Sequence, residues 1–158
     1  MKIQLFCLFA VILSSKAFAA TRFSDTAAAS ANQKIVYRLE LRKVSDLNFG
    51  EASPGDPAKE IKAGISENAE NASFEVSGEP YRAYQIILPS SNSIKMIHGG
   101  GGLNREILIK EFTSWPIRTG VLNAQGESMI YVGATRQGIF RSQIAGDYTG
   151  QFFVTVVY

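Results

Sequence analysis

The chain has 158 residues, with sixteen Lys and Arg against fourteen Asp and Glu, and one His, one Cys and one Trp. That is one domain's worth of sequence. A zinc centre needs three or four ligands drawn mainly from His and Cys, which one of each cannot supply, and the near-balanced charge lacks the strongly basic footprint of a nucleic-acid binder.

Residues 1–19 have the three parts of a secretory signal: Lys2 as the positive start, an apolar run from Ile3 to Leu13, and Ala17-Phe18-Ala19 as a small-residue cleavage site. This predicts a mature chain starting at Ala20. A membrane-crossing helix needs roughly 20 apolar residues, and this run is about half that, so no transmembrane segment is expected in the mature chain. Cys7 lies inside the signal, which leaves the mature chain without a thiol and so without disulfides or cysteine catalysis. Loss of Lys2 and Lys16 leaves fourteen basic against fourteen acidic residues. The pI of about 8.7 therefore owes much to the signal, and it points to neither nucleic acid nor an anionic membrane.

Residues 20–33 are small and polar, with Phe23 the only bulky apolar group, and are expected to form a flexible leader before a domain over 34–158. Strand patterns then begin. Ile35, Tyr37, Leu39 and Leu41 alternate with Val36, Arg38, Glu40 and Arg42, the signature of a sheet with one face buried. Leu47-Asn48-Phe49-Gly50 reads as a short strand ending and Pro54-Gly55-Asp56-Pro57 as a turn. Further strands are predicted over 59–65, over 72–77 with Phe74 and Val76 inward, over 82–88 with Tyr84 and Ile86 inward, and over 94–97, 106–112 and 128–132. The run 143–158 completes the set. In it Tyr148, Gly150, Phe152, Val154, Val156 and Tyr158 share one face, and Gly146 to Tyr158 reads as a central strand. No segment has an apolar stripe of helical period. About eight short strands at this spacing predict an all-β, antiparallel β-sandwich.

Several motifs occur in a recognisable order: Ser45-Asp46-Leu47-Asn48-Phe49-Gly50, Phe74-Glu75-Val76-Ser77-Gly78-Glu79-Pro80 followed by Tyr84-Gln85-Ile86-Ile87-Leu88-Pro89, Ile109-Lys110-Glu111-Phe112-Thr113, Ile130-Tyr131-Val132-Gly133-Ala134-Thr135, and Ala145 through Tyr158. Over about residues 34–158 the chain resembles the bacterial family called domain of unknown function 4402. More distantly it is similar to the spore coat protein U domain and to pilin subunits of archaic chaperone–usher systems. The resemblance implies an immunoglobulin-like, pilin-like sandwich exported to the periplasm, the cell surface or the medium. The partners it implies are like subunits or a periplasmic chaperone and usher. In the pilin relatives a neighbour's amino-terminal segment fills a missing strand position, which implies a strand-addition groove along Tyr148, Phe152, Val154, Val156 and Tyr158.

Covering such a face stabilises by about 1.5–3 kcal/mol per large apolar side chain, so the whole face is comparable with the roughly 5–15 kcal/mol net stability of a domain. An open strand edge beside it is an aggregation hazard that β-augmentation removes. A donor strand should alternate large apolar residues, and Thr21 to Ala27 supplies only Phe23. Residues 35–41 alternate better but directly precede the Leu-Asn-Phe-Gly motif.

Other motifs carry less. His98-Gly99-Gly100-Gly101-Gly102 resembles an esterase oxyanion loop, but no Gly-x-Ser-x-Gly turn accompanies it and one histidine cannot serve both loop and triad. No Asp-x-Asp-x-Asp-Gly calcium loop occurs, and Glu67 to Asn71 reads as a solvated loop. Glu106 and Glu111 fit a solvated sheet face better than a glycosidase pair. Trp115 and Tyr131 could anchor a sugar or peptide, with a core position the plainer expectation for Trp115 beside Pro116. Asn71-Ala72-Ser73 matches the glycosylation triplet. The sequence thus predicts a non-enzymatic structural or adhesive surface subunit with no catalytic, cofactor or metal residues. The alternative is a self-complete periplasmic or secreted binding module whose loops hold a ligand.

Overall fold

Period-2 alternation of β-branched and aromatic residues becomes sheet wherever one side of a strand can be buried. The structure, a computed structural model, describes residues 26–158. The chain divides into two units, the second of them the compact Ile35–Tyr158. Of the first unit, residues 26–34 are exposed and without regular structure; the signal expected at 1–19 lies outside the described residues.

The second unit contains β1 (Glu40–Ser45), β2 (Lys59–Ile61), β3 (Ala72–Ser77), β4 (Ala83–Ile87), β5 (Ile94–Ile97), β6 (Glu106–Trp115), β7 (Thr119–Val121), β8 (Glu127–Arg136) and β9 (Thr155–Val157). No helix occurs among the described residues. The larger sheet runs β1-β3-β8-β6-β5 with β2 also on β8, the smaller runs β7-β4-β9, and every pairing is antiparallel. The fold is an all-β, antiparallel sandwich of two sheets.

The inner faces follow from the alternation. Phe74 and Val76 of β3 and Ile130 and Val132 of β8 pack against Tyr84 and Ile86 of β4 and against Leu122. A second cluster of Phe49, Ile61, Ile109 and Ala134 lies towards one end. Gly120 and Gly133 are small for steric reasons. A Cβ on Gly120 would fall onto the Tyr84 ring, and one on Gly133 would fall onto the backbone from Ile61 to Ala63, at the end of β2.

The sequence-based strands differ from the observed ones in several places, and the one expected over 59–65 ends at Ile61. The strand expected from Ile35 starts at Glu40, and Ile35, Val36 and Tyr37 are exposed; Leu39 and Leu41 alone of that stripe reach the core. Leu47 to Gly50 is not a strand, although Phe49 is buried. β6 continues to Trp115, β8 to Arg136, and β7 was not anticipated. Trp115 is 45% exposed, so it is not a core residue; it pairs across the sheet with Tyr131.

The largest difference concerns the carboxyl-terminal run. Gly146 to Tyr158 is not a central strand. Only Thr155–Val157 is β9, at the edge of the smaller sheet on β4. Upstream, Thr149 forms an isolated bridge with Ile97 of β5, in the larger sheet. The run therefore changes sheets, and a segment that passes from one sheet to the other cannot pair with either along its whole length. Close approach of Gly150 to the Lys95 carbonyl, where a Cβ would clash, fixes the start of the crossing.

Candidate functional site

The crossing leaves a seam. Among the described residues β1 pairs only with β3 and β9 only with β4, so each is an edge of its sheet there, and the two approach one another on the same side of the sandwich. Leu39 and Leu41 on the β1 side and Phe152, Val154 and Val156 on the other lie over the core but are only partly buried. No backbone hydrogen bond among the described residues involves Gln151, Phe152 or Phe153. Backbone polar groups in folded domains are almost always paired or in water, so this stretch resembles an exposed sheet edge. It sits on a half-covered apolar face.

The five residues expected to line a strand-addition groove separate into three groups. Phe152, Val154 and Val156 come together over the core. Phe152 lies between Phe112 of β6 and Phe74 of β3, with ring centroids 5.0 and 6.3 Å away. Tyr158 is tied down beyond the seam: its hydroxyl accepts from the Glu79 N–H at 2.7 Å, and Arg82 stands 3.9 Å over its ring. Tyr148 lies at the far end, against His98, where its hydroxyl donates to the Ile144 carbonyl at 2.6 Å.

That far end forms a second feature, a cleft of about 760 Å³ between the loop after β1 and residues 139–149. Its floor is reached by following β8 inward: Ile130, Val132 and Ala134 are succeeded at the same parity by Arg136, which is 4% exposed. Gln143, 7% exposed, lines the same cleft. The sequence offered a signal for Arg136 in the i, i+2 alternation, which was lost because the strand was expected to stop at Val132. Gln143 gave none.

The remaining candidates have ordinary structural positions. His98 Nδ1 lies 3.0 Å from the Asp147 carbonyl and its ring packs on Tyr148. Glu106 pairs with Lys95 at 2.6 Å, a hydrogen bond and charge attraction that hold its carboxyl below the usual range. No cluster of three metal-ligating side chains occurs among the described residues. Asn71 is buried rather than part of a solvated loop; its Nδ2 donates to the carbonyls of Ala63 and Ser66 at 2.6 and 2.9 Å, so its amide is not available as a glycosylation acceptor. Among the described residues no helix is long and apolar enough to cross a membrane.

A family model described as "Domain of unknown function (DUF4402)" matches residues 39–158. No curated protein matches the chain. Among solved structures, the chain is similar to the ASH / PapD-like domain of human CEP192 (PapD-like domain 7), at 15% identity over 85% of this chain and 81% of that chain, with a TM-score of 0.37.

Proposed function

The chain belongs to the family described as domain of unknown function DUF4402, and on that premise we propose that it is an exported, non-enzymatic structural or adhesive surface subunit that assembles by β-strand addition along the seam between β1 and β9. The observation that carries this reading is the backbone of Gln151–Phe153, unpaired among the described residues, on a half-covered row of Phe152, Val154 and Val156. An added strand would supply hydrogen bonds to that backbone and cover those side chains at once.

The donor that fits is the segment just before β1. Ile35 and Tyr37 are 87% and 66% exposed, and they alternate in sequence with Val36 and Arg38 just before Leu39. Presented by a second copy, these two side chains could enter the seam of the first. Export rests on the signal pattern at residues 1–19 and the pilin-like reading on the sandwich and its seam.

Light scattering of the full chain against an Ile35→Asp, Tyr37→Asp double variant tests this. Both positions are exposed in the single copy, so the variant keeps its fold and loses concentration-dependent assembly. If the parent is a monomer at every concentration and behaves as the variant does, the strand-addition reading is wrong. The self-complete binding module then replaces it, favoured by the cleft at Arg136.

A further inference from the structure

We propose that the cleft between the loop after β1 and residues 139–149 binds a small monocarboxylate with an apolar body, and that Arg136 takes its carboxylate. This site is independent of whether the chain assembles through its seam.

The argument begins with the charge. Arg136 is almost wholly buried at the inner face of β8, and buried arginines are ordinarily paired. Both of its hydrogen bonds leave from Nη1, to the carbonyls of Pro57 at 3.0 Å and Gln137 at 2.9 Å. Carbonyl oxygens satisfy N–H groups but do not neutralise a cation, and none of the ion pairs among the described residues includes Arg136. A buried charge without a counter-charge is strongly unfavourable, and an arriving carboxylate, bound by a guanidinium in charge-assisted hydrogen bonds, is its complement.

The walls define the rest of the ligand. Leu47, Phe49, Met96, Ile107, Ile139 and Ile144 line the cleft, and its volume falls within the roughly 300–1,000 Å³ of small-molecule sites. Gln143 stiffens the polar wall: its Nε2 donates to the Glu106 carbonyl at 3.1 Å and to the Tyr148 hydroxyl at 3.0 Å. Its Oε1 is left as the one fully buried side-chain polar atom without a partner among the described residues. Glu51 and Asp147 are exposed on the lining, and their charges select against phosphate and against dicarboxylates, which bring more negative charge past the mouth than a single carboxylate does.

A purely structural role for Arg136, tying the Pro57 loop to β8, makes a different prediction, and the two separate in solution. The full chain labelled with ¹⁵N is titrated with octanoate, with 1-octanol and with inorganic phosphate, while the Arg136 Nε–H resonance and the thermal midpoint are followed. Octanoate shifts the Arg136 resonance saturably and raises the midpoint, and the other two do neither. Arg136→Gln weakens octanoate binding by at least about tenfold, the loss of one charge-assisted hydrogen bond. Should that variant not fold, Ala145→Trp, at an exposed position on the lining, narrows the mouth and abolishes binding with the fold intact. An Arg136 resonance that does not move at saturating octanoate, or equal binding of octanoate and octanol, overturns the proposal, as does a phosphate response equal to that of octanoate.

Discussion

Phe152 meets Phe74 edge to face, with ring centroids 6.3 Å apart and planes at 77°. This T-shaped geometry is favoured for aromatic pairs and contributes beyond simple area burial. The contact joins β3 of the larger sheet to a segment whose backbone has no hydrogen-bonded neighbour among the described residues. The core is therefore closed at this point by a side chain before any strand is paired there.

Truncating that side chain should be costly and truncating its neighbour should not. Phe152→Ala is expected to lower stability by about 2–3 kcal/mol, somewhat under the range for a fully buried phenylalanine, because the ring is only partly covered. Phe153 is 78% exposed, and Phe153→Ala should stay within about 0.5 kcal/mol. Urea unfolding of both variants checks the alternation directly; similar losses would contradict it.

The glycine beneath Tyr84 offers a second test. Gly120→Ala drives a methyl into the Tyr84 ring, and overpacking a close-packed core costs about 1–3 kcal/mol. Combining it with Tyr84→Leu should cost less than the sum of the two single changes, measured as a double-mutant cycle.

Tyr84 also gives the fold a pH dependence. Burial holds its hydroxyl above the ordinary tyrosine value, against the Ser128 hydrogen bond, which pulls the other way. As pH rises through about 10 the unfolded chain releases a proton that the folded chain retains, so stability is intact below that pH and falls above it. Tyr84→Phe should show a shallower fall between about pH 9 and 11. Parallel profiles would show that this hydroxyl does not contribute.

Asn71 fixes the loop before β3. Besides its two donations, its Oδ1 accepts from the Asn68 N–H at 3.0 Å, so Asn71→Ala removes the donor to the buried Ala63 carbonyl together with the other two bonds and should cost about 2–3 kcal/mol. Thermal unfolding reads the loss; Asn71→Asp, which keeps the acceptor and removes the donor, should recover little of it.

Much of this fold is legible in the sequence where one strand has one buried face. Phe74 and Val76, Tyr84 and Ile86, and Ile107 and Ile109 all lie inward as their alternation requires. Legibility fails where a segment serves two sheets. Phe152, Val154 and Val156 keep their period of two and their inward face, but a side-chain period cannot reveal that Thr149 bridges β5 while Thr155 pairs with β4. The apolar stripe at Ile35 and Tyr37 similarly has the pattern of a strand but no partner among the described residues. Arg136 escapes because a charged residue at an inward position reads as the end of a strand, although here the strand continues through it.

Amide hydrogen exchange at Gln151, Phe152 and Phe153 tests the central claim most directly, since these N–H groups have no backbone partner among the described residues. Measured by NMR on the full chain before and after adding excess synthetic peptide spanning residues 33–41, their exchange should slow by about 100-fold or more as a strand pairs along the seam, and a peptide with proline in place of Tyr37 should leave it unchanged. Fast exchange with both peptides, at concentrations where the chain remains folded, would contradict strand addition at this site.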